Sequence, residues 1–170
     1  MRQRFDSQFT IGLVQVADVK IPTNSRDELA PTLAGLQHIF ITPQLNEQVF
    51  AIVEEKIPTG ADHFIGRKGM SLWEILVLAV CRLTLNANYD RIHDMANHHT
   101  LIRNIMQVST NSFTDENPSY GLQTIKENLM LLDEETIMKI NELVVASAHN
   151  LVLKKKRRAA DKVRHLRFRN

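Results

Sequence analysis

The chain has 170 residues, of which 44% are hydrophobic and 24% charged, and it contains six Gly and five Pro. This composition is typical of one folded domain and excludes collagen-like and intrinsically disordered chains. A single cysteine, Cys81, excludes an internal disulfide framework and any zinc module built on several cysteines. The longest fully apolar run, Ile75–Cys81, has seven residues, whereas a membrane span needs about twenty. We therefore expect a soluble, cytoplasmic protein with no membrane partner.

Positive charge is concentrated near the end of the sequence. The net charge is +2, but residues 154–170, called the basic segment below, contain nine Lys and Arg and one acid, Asp161. Residues 1–153 contain twelve Lys and Arg against eighteen Asp and Glu, so this part is acidic. An acidic body with a basic end is typical of a protein that binds a polyanion such as nucleic acid. A solvated helix end is the alternative interpretation.

The predicted elements begin with an extended arm or an isolated strand over residues 1–22, because apolar residues partly alternate there. Everything after the arm is predicted to be helical, because apolar residues recur every three or four positions. The first helix is predicted over Arg26–Phe40. The second opens at Thr42-Pro43, with Thr42 as the N-cap, and ends before Pro58.

A capping-box pattern, Ser71 followed by Glu74, opens the most apolar helix. This helix is predicted to reach about Leu85 and to lie buried at the centre of the fold, because it is apolar on all sides. Three shorter helices are predicted to follow, over Tyr89–Asn97, Leu101–Val108 and Tyr120–Leu132. Asn88 and Thr100 are the expected N-caps of the first two.

The last and longest helix is predicted to open at Asp133, with acids in its first turn, where they interact favourably with the helix dipole. Its apolar stripe resembles a short coiled-coil seam and consists of Ile137, Ile140, Val144, Ser147 and Leu151. We expect an all-α fold, a compact multi-helix bundle over residues 23–153. The extended arm precedes the bundle, and the long last helix leads into the basic segment.

No set of side chains predicts an enzyme. Metal-ligating residue types cluster after Asn88, at Asp90, His93, Asp94, His98 and His99. Their spacing matches no known metal motif, so a polar helix surface is the favoured interpretation and no metal site is predicted. Acidic pairs such as Glu54 and Glu55 are adjacent in sequence and point in different directions on a helix. Cys81 falls in the most apolar helix, where a reactive thiolate is disfavoured.

Several long segments form a more specific pattern. They are KIPTNSRDELAPTLAGLQHIF, TPQLNEQVFAIVEEKI, GRKGMSLWEILVLAVCRLTLNANYDRIHDMANHHTLIRNIM, YGLQTIKENLMLLDEETIMKINELVV and HNLVLKKK, preceded by MRQRF. Together these segments resemble the N-terminal region of bacterial insertion-sequence DDE transposases of the ISNCY type. The central segment is also similar to the helical N-terminal domain of InsH-like transposases. The resemblance covers nearly the whole chain.

The resemblance implies a helical region that binds the terminal inverted repeats of the element and assembles the subunits. It also implies a following RNase H-like domain, in which three acids bind two Mg²⁺ ions for strand cleavage and transfer. The first catalytic Asp of the family would follow the basic segment, where this sequence reaches Arg169-Asn170, and Asp161 does not match it. We therefore expect a truncated transposase that is not an enzyme by itself and needs no cofactor, Mg²⁺ being expected only for the missing catalytic domain.

The implied partners are double-stranded DNA and, for assembly, a second copy of the chain. The predicted phosphate contacts are Lys154, Lys155, Lys156, Arg157 and Arg158, followed by Arg67, Lys68, Arg91 and Arg103. The middle helices hold few bases on the faces expected to be exposed, namely Arg82, Arg91, Arg103 and Lys126. Such a set is small for a helix that reads the major groove. Two alternatives remain: a helical protein that dimerises through the 137–151 seam, and a truncated transposase that acts as a regulator.

Overall fold

The computed structural model describes residues 3–5, 13–22, 27–57, 69–108 and 120–146, which we refer to together as the helical body. The helical body contains a 3₁₀ turn, Val16–Asp18, and the α-helices α1 (Leu29–Ile41), α2 (Pro43–Lys56), α3 (Leu72–Thr84), α4 (Tyr89–His98), α5 (Thr100–Met106) and α6 (Leu122–Leu129). A further helical stretch, α7, covers residues 134–146. No strand occurs in the described ranges, and the predicted all-α fold is confirmed.

Three predicted helix starts are confirmed by local hydrogen bonds. At α3, the Ser71 hydroxyl accepts the Glu74 N–H at 3.2 Å, and the Glu74 carboxylate accepts the Ser71 N–H at 2.6 Å. Asn88 and Asp133 each accept the N–H of the residue three positions later, at 2.9 and 2.8 Å. These side chains satisfy N–H groups that have no partner inside their own helix.

Two predicted caps differ from the structure. Thr42 precedes Pro43 at the start of α2, as predicted, but its side chain makes no capping hydrogen bond, and Oγ1 lies 3.4 Å from His38 Nδ1. Thr100 is the first residue of α5, and His99 is the N-cap. The ring Nδ1 of His99 accepts a main-chain N–H of the helix at 3.4 Å, which a histidine can do when that nitrogen is unprotonated.

Helix α3 lies at the centre of the helical body. Every residue from Leu72 to Cys81 is buried, and α1, α2, α4, α5 and α6 all contact this helix. The Trp73 indole N–H donates to the Ile105 carbonyl at 2.6 Å, which gives the largest buried side chain a polar partner. The predicted buried central helix is therefore confirmed. Despite its apolar character, neither α3 nor any other described helix has the length and hydropathy of a membrane-spanning segment.

The described part of the predicted arm, residues 3–5 and 13–22, packs on the bundle instead of extending from it. The carbonyls of Gln3 and Arg4 accept the N–H groups of Leu72 and Trp73, both at 3.0 Å. These are the first two residues of α3, so the arm completes the hydrogen bonding of a buried helix end. Further along, Val16–Asp18 is a helical turn and not a strand, and the prediction of a strand is wrong there.

Aromatic packing and ion pairs hold residues 3–5 in place. The Phe5 ring centroid lies 5.0 Å from that of Phe40 and 5.1 Å from that of Phe50, in edge-to-face contacts. The Arg4 guanidinium contacts Glu54 at 2.6 Å and Glu47 at 2.7 Å. These two carboxylates, Glu54 foremost, raise the pKa of Arg4, and the guanidinium lowers the pKa of Glu47. Arg4 thereby fixes the arm to α2.

The described residues of the predicted seam on the last helix pack against the rest of the same chain. Ile137, Ile140 and Val144 are buried in the core of the helical body. At Gly35 of α1, a Cβ atom would collide with the main-chain oxygen of Val144, so glycine permits α1 and α7 to approach closely. A homodimer seam through these three residues is therefore wrong, because they already pack in their own core. Ser147 and Leu151 lie outside the described residues.

Replacing Gly35 with Ala tests the close approach of α1 and α7. Because the new methyl group would push α7 away, we expect Gly35→Ala to lower the free energy of unfolding by about 1–3 kcal/mol. Urea denaturation followed by circular dichroism measures the loss. Gly69→Ala is the matched control, since a Cβ there meets nothing within 4 Å and should leave the stability almost unchanged. Equal stability of both variants would contradict the packing.

Replacing Asp133 with Asn tests the junction of α2 and α7. Hydrogen bonds from Thr136 and from Lys56, whose Nζ lies 3.0 Å away, hold the pKa of Asp133 well below its ordinary value. A lowered pKa in the folded state gives stability that is present above the unfolded pKa, about 4, and is lost as the pH falls below it. An asparagine side chain at this position keeps the N-cap but cannot titrate. We therefore expect the urea midpoint of Asp133→Asn to fall less steeply than that of the parent as the pH drops below about 4. An equally steep fall in both proteins would show that Asp133 does not contribute to the pH dependence of stability.

Candidate nucleic-acid interface

The described residues carry little positive charge that could attract DNA. Seven of the predicted contacts lie outside them: Arg67, Lys68, Lys154, Lys155, Lys156, Arg157 and Arg158. The helical body contains eight Lys and Arg and fourteen Asp and Glu, a net charge of −6. On balance this charge repels a phosphate backbone. Any contact between the helical body and DNA has to come from a local group of cations.

Three of the eight described cations are neutralised by carboxylates of the same chain. Arg4 contacts both Glu47 and Glu54. Lys56 Nζ lies 3.0 Å from Asp133, and Lys139 Nζ lies 2.7 Å from Glu135. Each carboxylate raises the pKa of the lysine beside it. A DNA phosphate would have to compete with these carboxylates for the same cations.

Arg103, one of the predicted DNA contacts, is buried, and its assignment to an exposed face is wrong. Its side chain is almost inaccessible, and Nη1 donates to the Ala96 carbonyl at 3.0 Å. Burial lowers the pKa of Arg103, while Tyr120 acts in the opposite direction. Ala96 belongs to the last turn of α4, where carbonyls lack helical partners and a cation is favourable. Arg103 therefore fixes the end of α4 from inside the bundle.

The remaining described cations are Lys20, Arg82, Arg91 and Lys126. Among the described residues, no carboxylate oxygen lies within 4.0 Å of their side-chain nitrogens. Arg91 is exposed on α4, in agreement with its prediction as an available base. Arg82 is half-buried, and its guanidinium carbon lies 4.4 Å from the centre of the Tyr89 ring, a cation–π contact.

A polar cluster that the sequence did not predict joins the start of α6 to α3 and α4. The Tyr120 hydroxyl donates to the buried Glu74 carboxylate at 2.8 Å. The Asn97 side chain accepts the Tyr120 N–H at 2.8 Å and donates to the Tyr120 carbonyl at 3.0 Å. The capping box revealed the role of Glu74 at its own helix, but no local pattern revealed its partner on another helix. The cluster sets the position of α6.

The histidine cluster does not converge on a metal site. His98 Nε2 lies 4.0 Å from Asp94 Oδ1, and both side chains are about three-quarters exposed. His99 instead caps α5. Within the described ranges, no three His, Cys, Asp or Glu side chains come together as metal ligands.

Cys81 is enclosed by the core in the middle of the bundle. Burial raises the pKa of its thiol to about 12. The side chain is therefore protonated at neutral pH and packs as a small apolar group. This environment agrees with the expectation that the sulfur is not a reactive nucleophile.

Comparisons with protein-family models, with curated proteins and with solved structures give no match for this chain.

Replacing Arg103 separates a structural role from a DNA contact. We expect Arg103→Ala to lower the free energy of unfolding by about 1–3 kcal/mol, because the buried Ala96 carbonyl loses its donor. The exposed Arg91→Ala should change stability by less than about 0.5 kcal/mol. Urea denaturation of both variants measures the difference. If Arg103→Ala were as stable as Arg91→Ala, the structural role of Arg103 would be refuted.

Proposed function

We propose that this chain is the DNA-binding and assembly portion of an insertion-sequence transposase, taking part in DNA transposition without catalytic acids of its own. Its place would be the cytoplasm, where bacterial DNA is accessible. The proposal is supported by the resemblance of long segments to the N-terminal region of ISNCY-type transposases. An all-α body is compatible with the helical region that this resemblance implies. Mg²⁺ belongs, in this proposal, to a catalytic domain that the described residues do not supply.

The separation of charge carries the proposal. The helical body has a net charge of −6, whereas residues 154–170 have nine Lys and Arg against one acid. Within the helical body, three of the cations are paired and Arg103 is buried. The helical body therefore offers few cations to a polyanion, whereas the sequence concentrates nine of them in the basic segment. This arrangement favours a duplex backbone as the ligand, because its phosphates present closely spaced negative charges.

Phosphate contacts from the basic segment would give affinity but no choice of sequence. In this proposal, Lys154, Lys155, Lys156, Arg157 and Arg158 neutralise phosphates, with Arg67 and Lys68 as further contacts. Selection of the terminal inverted repeats then needs base contacts or DNA deformation in addition. The short helix α5 is an unfavourable reader of bases, because most of its side chains are buried.

Assembly with a second copy is the other half of the proposal. The buried residues Ile137, Ile140 and Val144 cannot supply the contact, so a second copy would meet another surface. The same finding weakens the alternative of an interaction protein that dimerises through the seam. The alternative of a truncated transposase that acts as a regulator requires the same DNA binding. It also requires an intact transposase in the same cell, and this requirement distinguishes the regulator from the proposed function.

Neutralising the basic segment tests DNA binding. If about five phosphates are contacted, affinity for a short duplex should fall about 10²–10³-fold between 50 and 200 mM salt. Replacing residues 154–158 by Gln should remove most of the affinity and most of the salt dependence. Fluorescence anisotropy with labelled duplex DNA measures both quantities.

Lys139→Gln is the control for this experiment, because Lys139 is a cation already paired with Glu135. We expect this variant to bind as the parent does. An unchanged affinity after replacement of residues 154–158 would refute the assignment of the basic segment, and a parent chain that does not bind duplex DNA would refute the proposed function.

A further inference from the structure

Residues 3–5 lie in a groove formed by α1, α2 and α3, and each part of the groove receives a different chemical group. We call this surface the arm groove, and it consists of the Phe40, Phe50 and Trp73 rings, the Glu47 and Glu54 carboxylates, and the N–H groups of Leu72 and Trp73. None of these residues is close to residues 3–5 in the sequence. Contacts across space therefore hold the arm in the groove.

The arm groove selects an aromatic side chain at the position of Phe5. Its ring makes edge-to-face contacts with Phe40 and Phe50, and its centroid lies 6.1 Å from that of Trp73. Phe50 and Trp73 are buried, so their faces are presented inside the fold. Such a cluster favours an aromatic ring over an aliphatic side chain, because the edge of one ring interacts with the face of another.

The groove selects arginine at the preceding position. The Arg4 guanidinium donates to both oxygens of Glu54, at 2.6 and 2.8 Å, and to both oxygens of Glu47, at 2.7 and 3.0 Å. Its central carbon lies 5.3 Å from the centre of the Phe50 ring. Two forked pairs with carboxylates need the planar set of donors that only arginine has.

Main-chain hydrogen bonds complete the contact. The carbonyls of Gln3 and Arg4 accept the N–H groups of Leu72 and Trp73, which belong to the first turn of α3. These N–H groups have no partner inside their helix, so any chain segment that occupies the groove with this geometry gains both bonds. Three consecutive residues therefore supply every contact with the arm groove described above.

Charge complementarity matches the groove to the N-terminus of this chain. Arg2 and Arg4 precede the first acid, Asp6, whereas the helical body has a net charge of −6. A basic segment at a chain end is attracted to the acidic body of any copy. The contacts are the same whether residues 3–5 come from the same chain or from another, which is the condition for domain swapping.

We propose that two copies of the chain assemble by exchanging arms, each placing its residues 3–5 in the arm groove of the other. This inference rests on the assembly half of the proposed function and names its surface. The buried residues Ile137, Ile140 and Val144 do not supply such a surface. In the exchanged dimer each copy gives one arm and receives one, so the assembly closes at two copies.

Reversing charges in separate full-length chains tests the exchange. One variant carries Arg4→Glu, and the other carries Glu47→Lys and Glu54→Lys. Each variant alone brings like charges together in its groove, which is strongly unfavourable, whereas a mixture pairs opposite charges in both grooves. We expect the equimolar mixture to dimerise at least about tenfold more tightly than either variant alone. Sedimentation velocity measures the masses, and circular dichroism confirms that the variants are folded.

The parent and a milder variant extend this measurement. The parent should contain a dimer whose share rises with concentration, and Arg4→Glu should remove that dimer. If the double reversal unfolds the chain, Glu47→Lys alone replaces it, since the Glu47 side chain is 67% exposed.

A synthetic peptide with the sequence of residues 1–6 tests the groove without a second folded copy. We expect the labelled peptide to bind the Arg4→Glu chain, whose own arm is rejected, at least about tenfold more tightly than the chain with Glu47→Lys and Glu54→Lys. Fluorescence anisotropy measures both affinities. Equal affinities would show that the carboxylates do not select the arm and would overturn the inference.

The ion pair of Lys139 and Glu135 provides the matched control. Both residues belong to α7, so their contact cannot be exchanged between copies. A mixture of Lys139→Glu and Glu135→Lys chains should therefore sediment as each variant does alone. A gain in dimer for this mixture would show that opposite net charges suffice, and the arm groove would not be the contact.

The remaining outcomes separate this inference from the proposed function. If the parent or the Arg4 and Glu47 mixture stays monomeric, the groove binds only its own arm and arm exchange is wrong. If the separate variants dimerise as tightly as the mixture, the copies meet at another surface, so assembly stands and this inference is wrong. DNA binding by residues 154–158 is measured independently on the parent, and its failure would refute the proposed function without removing arm exchange.

Discussion

Burial of α3 from Leu72 to Cys81 is the constraint from which the rest of the structure follows. A helix that is apolar on all sides needs neighbours on all sides, and five helices supply them. Its first N–H groups are also removed from water, so each needs a partner. The Ser71–Glu74 box supplies acceptors for the N–H groups of those two residues. The carbonyls of Gln3 and Arg4 accept the N–H groups of the two residues between them. The packing of residues 3–5 is thus a condition for burying the start of α3.

Several cations of the helical body form ion pairs or hydrogen bonds with other parts of the same chain. Arg4 joins the arm to α2, Lys56 joins α2 to α7, and Arg103 binds the end of α4 from within. Cations engaged in this way are poor ligands for an external anion, because a phosphate has to displace a carboxylate or reach into the core.

Features that depend on neighbouring residues were predictable from the sequence, whereas features that depend on distant partners were not. Ser71, Asn88 and Asp133 cap their helices through local hydrogen bonds, and the first two caps and the helix start at Asp133 were predictable from the sequence. Burial of the central part of α3, Ile75–Cys81, followed from its uniform apolarity. Arg103 was misassigned because an arginine in a short helix gives no local sign of being enclosed by other helices. The stripe that begins at Ile137 showed which face of α7 is apolar, but not that α1 would cover it.

Residues 3–5 leave the ribosome before any of the residues that they contact. Phe5 can reach its final position only after Phe40, Phe50 and Trp73 have been synthesised and brought together. Contacts between such distant parts of a chain form slowly, because a long loop has to close before they are gained. Residues 3–5 are therefore among the last of the described residues to be placed, although they are made before their partners. Until then a nascent bundle would expose its aromatic cluster, which makes this interval the one in which a chaperone could bind it.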